Sequence, residues 1–193
     1  PPRSTLFPYT TLFRSEMKHP LHQFHFCPEC GSGNFSENNL KSKKCTDCGF
    51  TYYFNSSAAV VAIIENEKGE VLIARRAKDP AKGTYDLPGG FVDMYETAEE
   101  AIAREVREET GLLITSSKYL FSIPNIYVYS GFEVHTMDLF FQCKSLDDSV
   151  MTPMDDVSDL LFIDKRELRP ADFGLISIRK GIEKILEDVR IRK

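Results

Sequence analysis

The stretch "GGFVDMYETAEEAIAREVREETGL", Gly89 to Leu112, decides how the rest of the chain is read. Thr97 to Thr110 reads as a helix: Glu99 and Glu100 fall in its first turn, and Gly111 stands where a helix stops. At about 100° per residue, Arg104, Glu105, Glu108 and Glu109 lie within an arc of about 140°, while Ala103, Val106 and Thr110 point elsewhere. Like charges at helical neighbour spacing repel, at a cost of roughly a few tenths of a kcal/mol per pair. Such a face is either simply solvated or built to receive a cation. Hard divalent ions such as Mg²⁺ take carboxylate oxygens and keep several waters, so three glutamates on one face suit them. Arg104, four residues before Glu108, is placed to hold that carboxylate through a forked ion pair.

The spacing around this helix is more specific than its charge. From Gly90 the chain runs five residues to Glu96, then seven more to Arg104-Glu105-Val106-Arg107-Glu108-Glu109-Thr110-Gly111-Leu112. The pattern resembles, at every defining position, the Nudix hydrolase signature Gly-x5-Glu-x7-Arg-Glu-U-x-Glu-Glu-x-Gly-U, where U is bulky and aliphatic. The preceding "LPGG", Leu87 to Gly90, is also usual in that family. The resemblance covers residues 56–193 and implies an α/β/α sandwich with a mixed β-sheet. It implies a loop–helix–loop, Gly90 to Leu112, that binds Mg²⁺ or Mn²⁺ through Glu105, Glu108 and Glu109. The carbonyl of Gly90 is expected to join them, with Glu96 as an auxiliary and Arg104 as the orienting arginine. The implied substrate is a small-molecule nucleoside diphosphate linked to a further group X. Water attacks one phosphorus and the other phosphate leaves, with Glu105 or Glu109 as candidate general base. Many relatives add an acid from outside the motif. Asp156 in "MDDVSDLLF" is the candidate, in competition with Asp155 and Asp159.

The flanking sequence supports this class of fold. "AAVVAIIE" and "EVLIARRA" read as two strands joined by the turn "NEKG", a hairpin signal. "DPAKGTYDLPGG" is an irregular loop. Strands are expected near 118–123, 126–130 and 133–144, and "DLLFIDKREL" as a short strand entering a turn. The closing segment has apolar residues at 175, 178, 182, 185, 186 and 189, an amphipathic helix. Strands on both sides of one helix, plus a terminal helix, predict an α/β domain with a mixed sheet between helices.

Residues 17–55 read as a separate, loop-rich module. "CPECG" and "CTDCG" place Cys27, Cys30, Cys45 and Cys48 as two pairs with fourteen residues between them. Two Cys-x-x-Cys turns, each followed by glycine, fit a four-thiolate zinc ribbon, here expected to hold structural Zn²⁺. Two disulfides or free thiols are the competing reading, disfavoured by the spacing and by the lack of a secretion signal. Cys143, alone in an apolar segment, reads as a buried small hydrophobe. Residues 1–15, "PPRSTLFPYTTLFRS", resemble a translated sequencing-adapter oligonucleotide and are set aside, which puts the expected native start near Met17.

Without Arg3 and Arg14, 22 basic residues face 29 acidic ones. That balance argues against nucleic acid as a partner, although Lys41, Lys43 and Lys44 beside Phe35 and Phe50 keep a nucleic-acid-binding ribbon as an alternative. A non-catalytic nucleotide sensor on the same fold is the other alternative; such proteins commonly lose box glutamates, and here all are present. The longest apolar run, "AAVVAII", has seven residues, far short of the roughly 18 a membrane span requires. A cytoplasmic location is expected, and the family resemblance implies a homodimer in many members.

A four-cysteine ribbon before such a domain resembles the NADH pyrophosphatase branch, which carries a Ser-Gln-Pro-Trp segment after the box. Here "SIPNIYVYSG" keeps Ser122 and Pro124, but Ile123 and Asn125 replace Gln and Trp. Specificity for NAD(H) is therefore open beside ADP-ribose and related nucleotides. Ser122, Asn125, Tyr127 and Tyr129 are the candidate substrate-binding residues, with the two tyrosines either stacking on a base or packing on one strand face.

Overall fold

The computed structural model describes residues 18–191, so the segment read as adapter lies outside them. Contacts divide the chain between Asn55 and Ser56. In the first unit, β1 (Phe35–Asn39), β2 (Ser42–Cys45) and β3 (Thr51–Tyr53) form a small antiparallel sheet. Its core is Cys27, Phe35 and Cys45, with Phe50 packed against them.

In the second unit, β4 (Ser57–Ile64), β5 (Glu70–Arg76), β6 (Tyr85–Asp86) and β7 (Gly89–Phe91) lead into α1 (Ala98–Thr110). Next come β8 (Ile114–Tyr129), β9 (Phe132–Ser145), β10 (Val157–Asp164) and α2 (Ile176–Ile191). One sheet runs β7-β4-β9-β8 and is mixed, because β4 lies parallel to β9. The other runs β10-β5-β6 and is antiparallel. Helix α1 begins one residue after the expected start because Thr97 is its cap. Thr97 Oγ1 accepts from the Glu100 amide at 3.2 Å, and Glu100 Oε2 accepts from the Thr97 amide at 2.8 Å, a capping box. Gly111, left-handed at φ 75°, closes the helix with its N–H on the Arg107 carbonyl.

Two expectations change. The β4–β5 hairpin forms only its turn: Gly69 N–H bonds Asn66 O at 2.9 Å and one isolated bridge joins Glu65 to Val71. Beyond it the strands part into different sheets, because β9 and β7 occupy both edges of β4. The two strands expected around Pro124 are one, β8. Pro124 has no N–H to donate, and β8 is an edge strand with β9 on one side, so the missing donor faces outward.

Strand β4 is apolar from Ala58 onward because it is covered twice. Val60, Ala62 and Ile64 pack with Ala101, Ile102 and Val106 of α1. Val61 and Ile63 pack with Ile178, Ile182 and Ile185 of α2. The expected apolar positions of the closing helix meet this second core, except Val189, whose side chain lies outside the described set. Among the described residues no helix is long and apolar enough to cross a membrane.

Gly181 shows how tightly α2 sits. A glycine inside a helix costs about 1 kcal/mol relative to alanine. Here a Cβ would come within 2.4 Å of the buried Phe140 ring, so the ring occupies the space a side chain would need. Gly181→Val is expected to destabilise the domain by about 1–3 kcal/mol through overpacking, read as a lower midpoint in thermal or urea unfolding. An unchanged midpoint would show that the helix shifts freely on the sheet.

Candidate active site and metal-binding cysteines

Arg104 organises the charged face of α1. Its Nε and Nη2 donate to the two oxygens of Glu96 at 2.8 Å each, a fork. Nη1 donates to Glu105 at 2.7 Å and to Glu108 at 3.0 Å, and Nη2 also reaches the Phe91 carbonyl at 3.0 Å. The expected Arg104–Glu108 contact is present, but the forked partner is Glu96, eight residues upstream. Glu96 is held down to about 2 by that guanidinium and by the Asp93 amide. Arg104 is raised well above its usual range by the same pairing.

The loop Gly89-Gly90 lies directly against the helix. A Cβ on Gly90 would stand 2.6 Å from the Glu105 carboxylate, and one on Gly89 would stand 2.0 Å from the Val60 carbonyl oxygen. Both positions therefore exclude any other residue without displacement. The Gly89 amide donates to Glu109 at 2.9 Å. Glu109 is pushed up to about 8, chiefly by burial, with the Gly89 hydrogen bond opposing and Asp86, Glu105 and Asp156 adding repulsion. Burial also raises Glu105, against the pull of Arg104.

Of the box acids, Glu109 lines a cleft of about 140 Å³, together with Gly89, Gly90, Asp156, Asn125 and Tyr127 among others; Glu96, Glu105 and Glu108 are not among its lining residues. Of the three competing aspartates, Asp156 lines it, with Lys78 bonded to it; Asp155 also faces Lys78, at 3.5 Å, and Asp159 lies 3.9 Å from Arg75. Asn125 and Tyr127 are brought to the cleft, and Tyr127 meets the Phe91 ring edge-on at 5.8 Å. Ser122 and Tyr129 are not among its lining residues. Ser122 alternates to the strand face opposite Ile123 and Asn125, and Tyr129 sits exposed at the β8–β9 hairpin end.

Four polar residues of this cleft went unnoticed in the sequence: Arg76, Asp86, Thr136 and Asp138. Arg76 Nη1 donates to Asp86 at 2.6 Å. Burial raises Asp86, opposed by Arg76; burial works against the Arg76 charge, and Asp86 more than offsets it. Thr136 Oγ1 donates to Asp138 Oδ1 at 2.6 Å. A threonine and an aspartate two apart, on the same strand face as Val134 and Phe140, were the available signal.

In the first unit, Cys27 Sγ lies 3.7 Å from Cys48 Sγ, and Cys30 Sγ 3.7 Å from Cys45 Sγ, with all four within 4.8 Å of one another. A tetrahedral zinc with bonds of about 2.3 Å has S···S edges of about 3.8 Å, whereas a disulfide needs about 2.05 Å. The spacing fits the metal, and all the cysteines are free thiols, including the buried Cys143. Gly31 (φ 72°) and Gly49 (φ 80°) turn the chain so that their amides reach the carbonyls of Cys27 and Cys45. Lys43 is buried and donates to the Phe24 carbonyl at 2.8 Å, so it is a structural residue rather than part of a basic surface. Among the described residues this is the one set of three or more ligand atoms gathered so closely. The box carboxylates are not gathered in this way: Arg104 engages Glu105 and Glu108, while Glu109 accepts from the Gly89 amide.

Comparison with known proteins agrees with this geometry. The family model "NUDIX domain" matches residues 55–185. A NAD-capped RNA hydrolase NudC of Vibrio atlanticus is 28% identical over 173 residues, 89% of this chain and 61% of its own length. An ADP-ribose pyrophosphatase of Methanocaldococcus jannaschii is 45% identical over 64 residues, 33% of this chain and 37% of its own. The chain thus spans less than two thirds of either relative. A solved Nudix hydrolase from Nitrosomonas europaea shares the fold, with a TM-score of 0.65 at 24% identity over 84% of this chain and 90% of that one. The matched domain covers both sheets, both helices' packing faces and the whole loop–helix–loop, and the chain belongs to the Nudix family.

Proposed function

We propose that the chain is a divalent-metal-dependent hydrolase that splits the diphosphate of a nucleoside diphosphate linked to a further group. The observation that carries this reading is the complete box on its loop–helix–loop, with Glu105 against Gly90 and Glu109 against the Gly89 amide at the cleft. Glu105, Glu108 and Glu109, with the Gly90 carbonyl, would hold Mg²⁺ or Mn²⁺. Their fit is chemical: these are hard oxygen donors, and burial leaves Glu109 with no cation bonded to it among the described residues. When bound, the ion offsets phosphate charge and eases deprotonation of a water.

The chain's own groups do the rest. A water oxygen bonds to one phosphorus as the bond from that phosphorus to the bridging oxygen breaks. The departing phosphate takes the bond's electron pair. The water's proton passes to a carboxylate, and Glu109 is favoured over Glu105 because Arg104 already engages Glu105. Arg104 and Glu96 hold the helix face in register with the loop. Similarity to an ADP-ribose pyrophosphatase and to NAD-capped RNA hydrolases makes ADP-ribose, NAD and NADH the first substrates to try. Four thiolates would fill a tetrahedral shell and leave no position for water or substrate, so we assign this site a structural Zn²⁺.

Product-resolved assays with Mg²⁺ or Mn²⁺ across ADP-ribose, NAD, NADH, sugar nucleotides and dinucleoside polyphosphates should find hydrolysis that a chelator abolishes. Failure with every compound would favour a non-catalytic sensor. Glu108→Gln is expected to lower kcat roughly 100-fold or more with little change in unfolding midpoint. Near-normal turnover in that variant would remove Glu108 from the metal site. Gly90→Ala should cut kcat by roughly 10-fold or more at nearly unchanged stability, because the new methyl displaces only the flexible end of Glu105. Elemental analysis of the purified chain should return about one zinc per chain, lost on Cys27→Ser; a folded first unit without metal would contradict the ribbon.

A further inference from the structure

Beyond the metal-facing acids, the same cleft has a polar floor that the hydrolytic step does not use. Asn125 on β8 is paired in register with Thr136 on β9, and Asp138 follows two residues on. All three are buried, at 8%, 4% and 5% exposure, and all three line the cleft. Thr136 gives its one hydroxyl hydrogen to Asp138 Oδ1. Oδ2 of Asp138 and the whole Asn125 amide are left to a ligand. The Asn125 side chain has no hydrogen bond among the described residues, although more than nine tenths of the residue is buried. Among the described residues only Ser177 Oγ is a fully buried side-chain atom without a partner, so the Asn125 amide opens into the cleft, where an entering group can take the place of water on it.

The charge of the floor says what can enter. Asp138 and Asp86 share the cleft, and Arg76 is already paired with Asp86. A phosphate or carboxylate is repelled from this end; a neutral or cationic group offering N–H is attracted. Leu87, Leu175, Ile178 and the Tyr127 ring make the neighbouring walls, which suit a flat ring. Asp138 accepts; the Asn125 amide donates beside it. Their complement is an –NH₂ group adjacent to an acceptor.

We propose that Asn125, Thr136 and Asp138 form a specificity subsite for a planar ring bearing an –NH₂ group beside a hydrogen-bond acceptor. The subsite rejects the counterpart in which that –NH₂ is replaced by oxygen. This rests on the diphosphate-hydrolase reading for its view of the substrate, whose diphosphate lies at the box while the ring lies on the floor. Two rings carry this chemistry in the first substrates to try: an aminopurine and a nicotinamide carboxamide. Deamination sets an oxygen against the Asp138 carboxylate and leaves both unpaired, which a polar subsite penalises far more than a lost apolar contact.

The test compares kcat/KM for ADP-ribose against inosine-diphosphate-ribose, and for NAD against nicotinic acid adenine dinucleotide. Wild type should prefer the amino member of one pair by about tenfold or more, and that pair identifies the ring. Asp138→Asn and Asn125→Ala should each reduce the preference to about threefold or less. Asn125→Ala removes a side-chain amide that has no hydrogen bond among the described residues, so it keeps the test valid where Asp138→Asn folds poorly. Two results overturn the subsite: wild type discriminating neither pair, or both variants retaining the preference. Calorimetric binding of AMP against IMP, and of nicotinamide against nicotinic acid mononucleotide, all with chelator, separates the two readings. Discrimination without hydrolysis of any compound sinks the hydrolase and keeps the subsite. Hydrolysis without discrimination does the reverse.

Discussion

The closeness of α1 to the Gly89-Gly90 loop is the constraint on which the site depends. With no Cβ at Gly90, the Glu105 carboxylate comes up to the backbone; with none at Gly89, the strand passes the Val60 carbonyl and turns its amide to Glu109. The loop is itself β7, paired with β4 at Ala59 to Val61. The acids are thus referenced to the central strand of the mixed sheet. The helix contributes Ala101, Ile102 and Val106 to the core beneath, which fixes its rotation and leaves its glutamates at the cleft side.

Charge is distributed on this frame with little surplus. Arg104 is shared among Glu96, Glu105 and Glu108, and Arg76 serves Asp86. Glu109 is half-buried and Asp138 buried, and no cation is bonded to either among the described residues. Buried carboxylates of this kind are expensive in an isolated domain. They make sense where a metal ion meets one and an N–H donor meets the other. On the proposed reading, a cation at the box would draw the phosphates there, and an uncharged or cationic ring would lie on the floor.

The zinc-type cluster illustrates a site written almost wholly in local sequence. Each Cys-x-x-Cys-Gly turn builds half of it, and β1–β2 pairing brings the halves together, Phe35 opposite Cys45. The box is similar: capping residue, charge spacing and terminal glycine all lie within one loop and one helix. Sheet pairing was less accessible. "NEKG" makes the turn of a hairpin, yet β4 and β5 separate because β9 and β7 compete for the edges of β4. Pro124 looked like a break and is accommodated because β8 has an open edge. The helix-interior Gly181, read locally as a weakness, is required by the Phe140 ring.

The sequence alone therefore determined the Nudix box, the four-cysteine cluster and the class of fold, because helical periodicity and tight-turn chemistry act over a few residues. Tertiary structure alone decided that Glu96 takes the Arg104 fork and that Asp156 rather than Asp155 or Asp159 lines the cleft. It also turned Asn125 and Tyr127 toward the cleft while Ser122 turned away, and joined Asn125 to Thr136 and Asp138 on one floor. Those outcomes depend on which strands pair and in what register. Register is set by distant parts of the chain competing for the same edges, and no local window of sequence contains that competition.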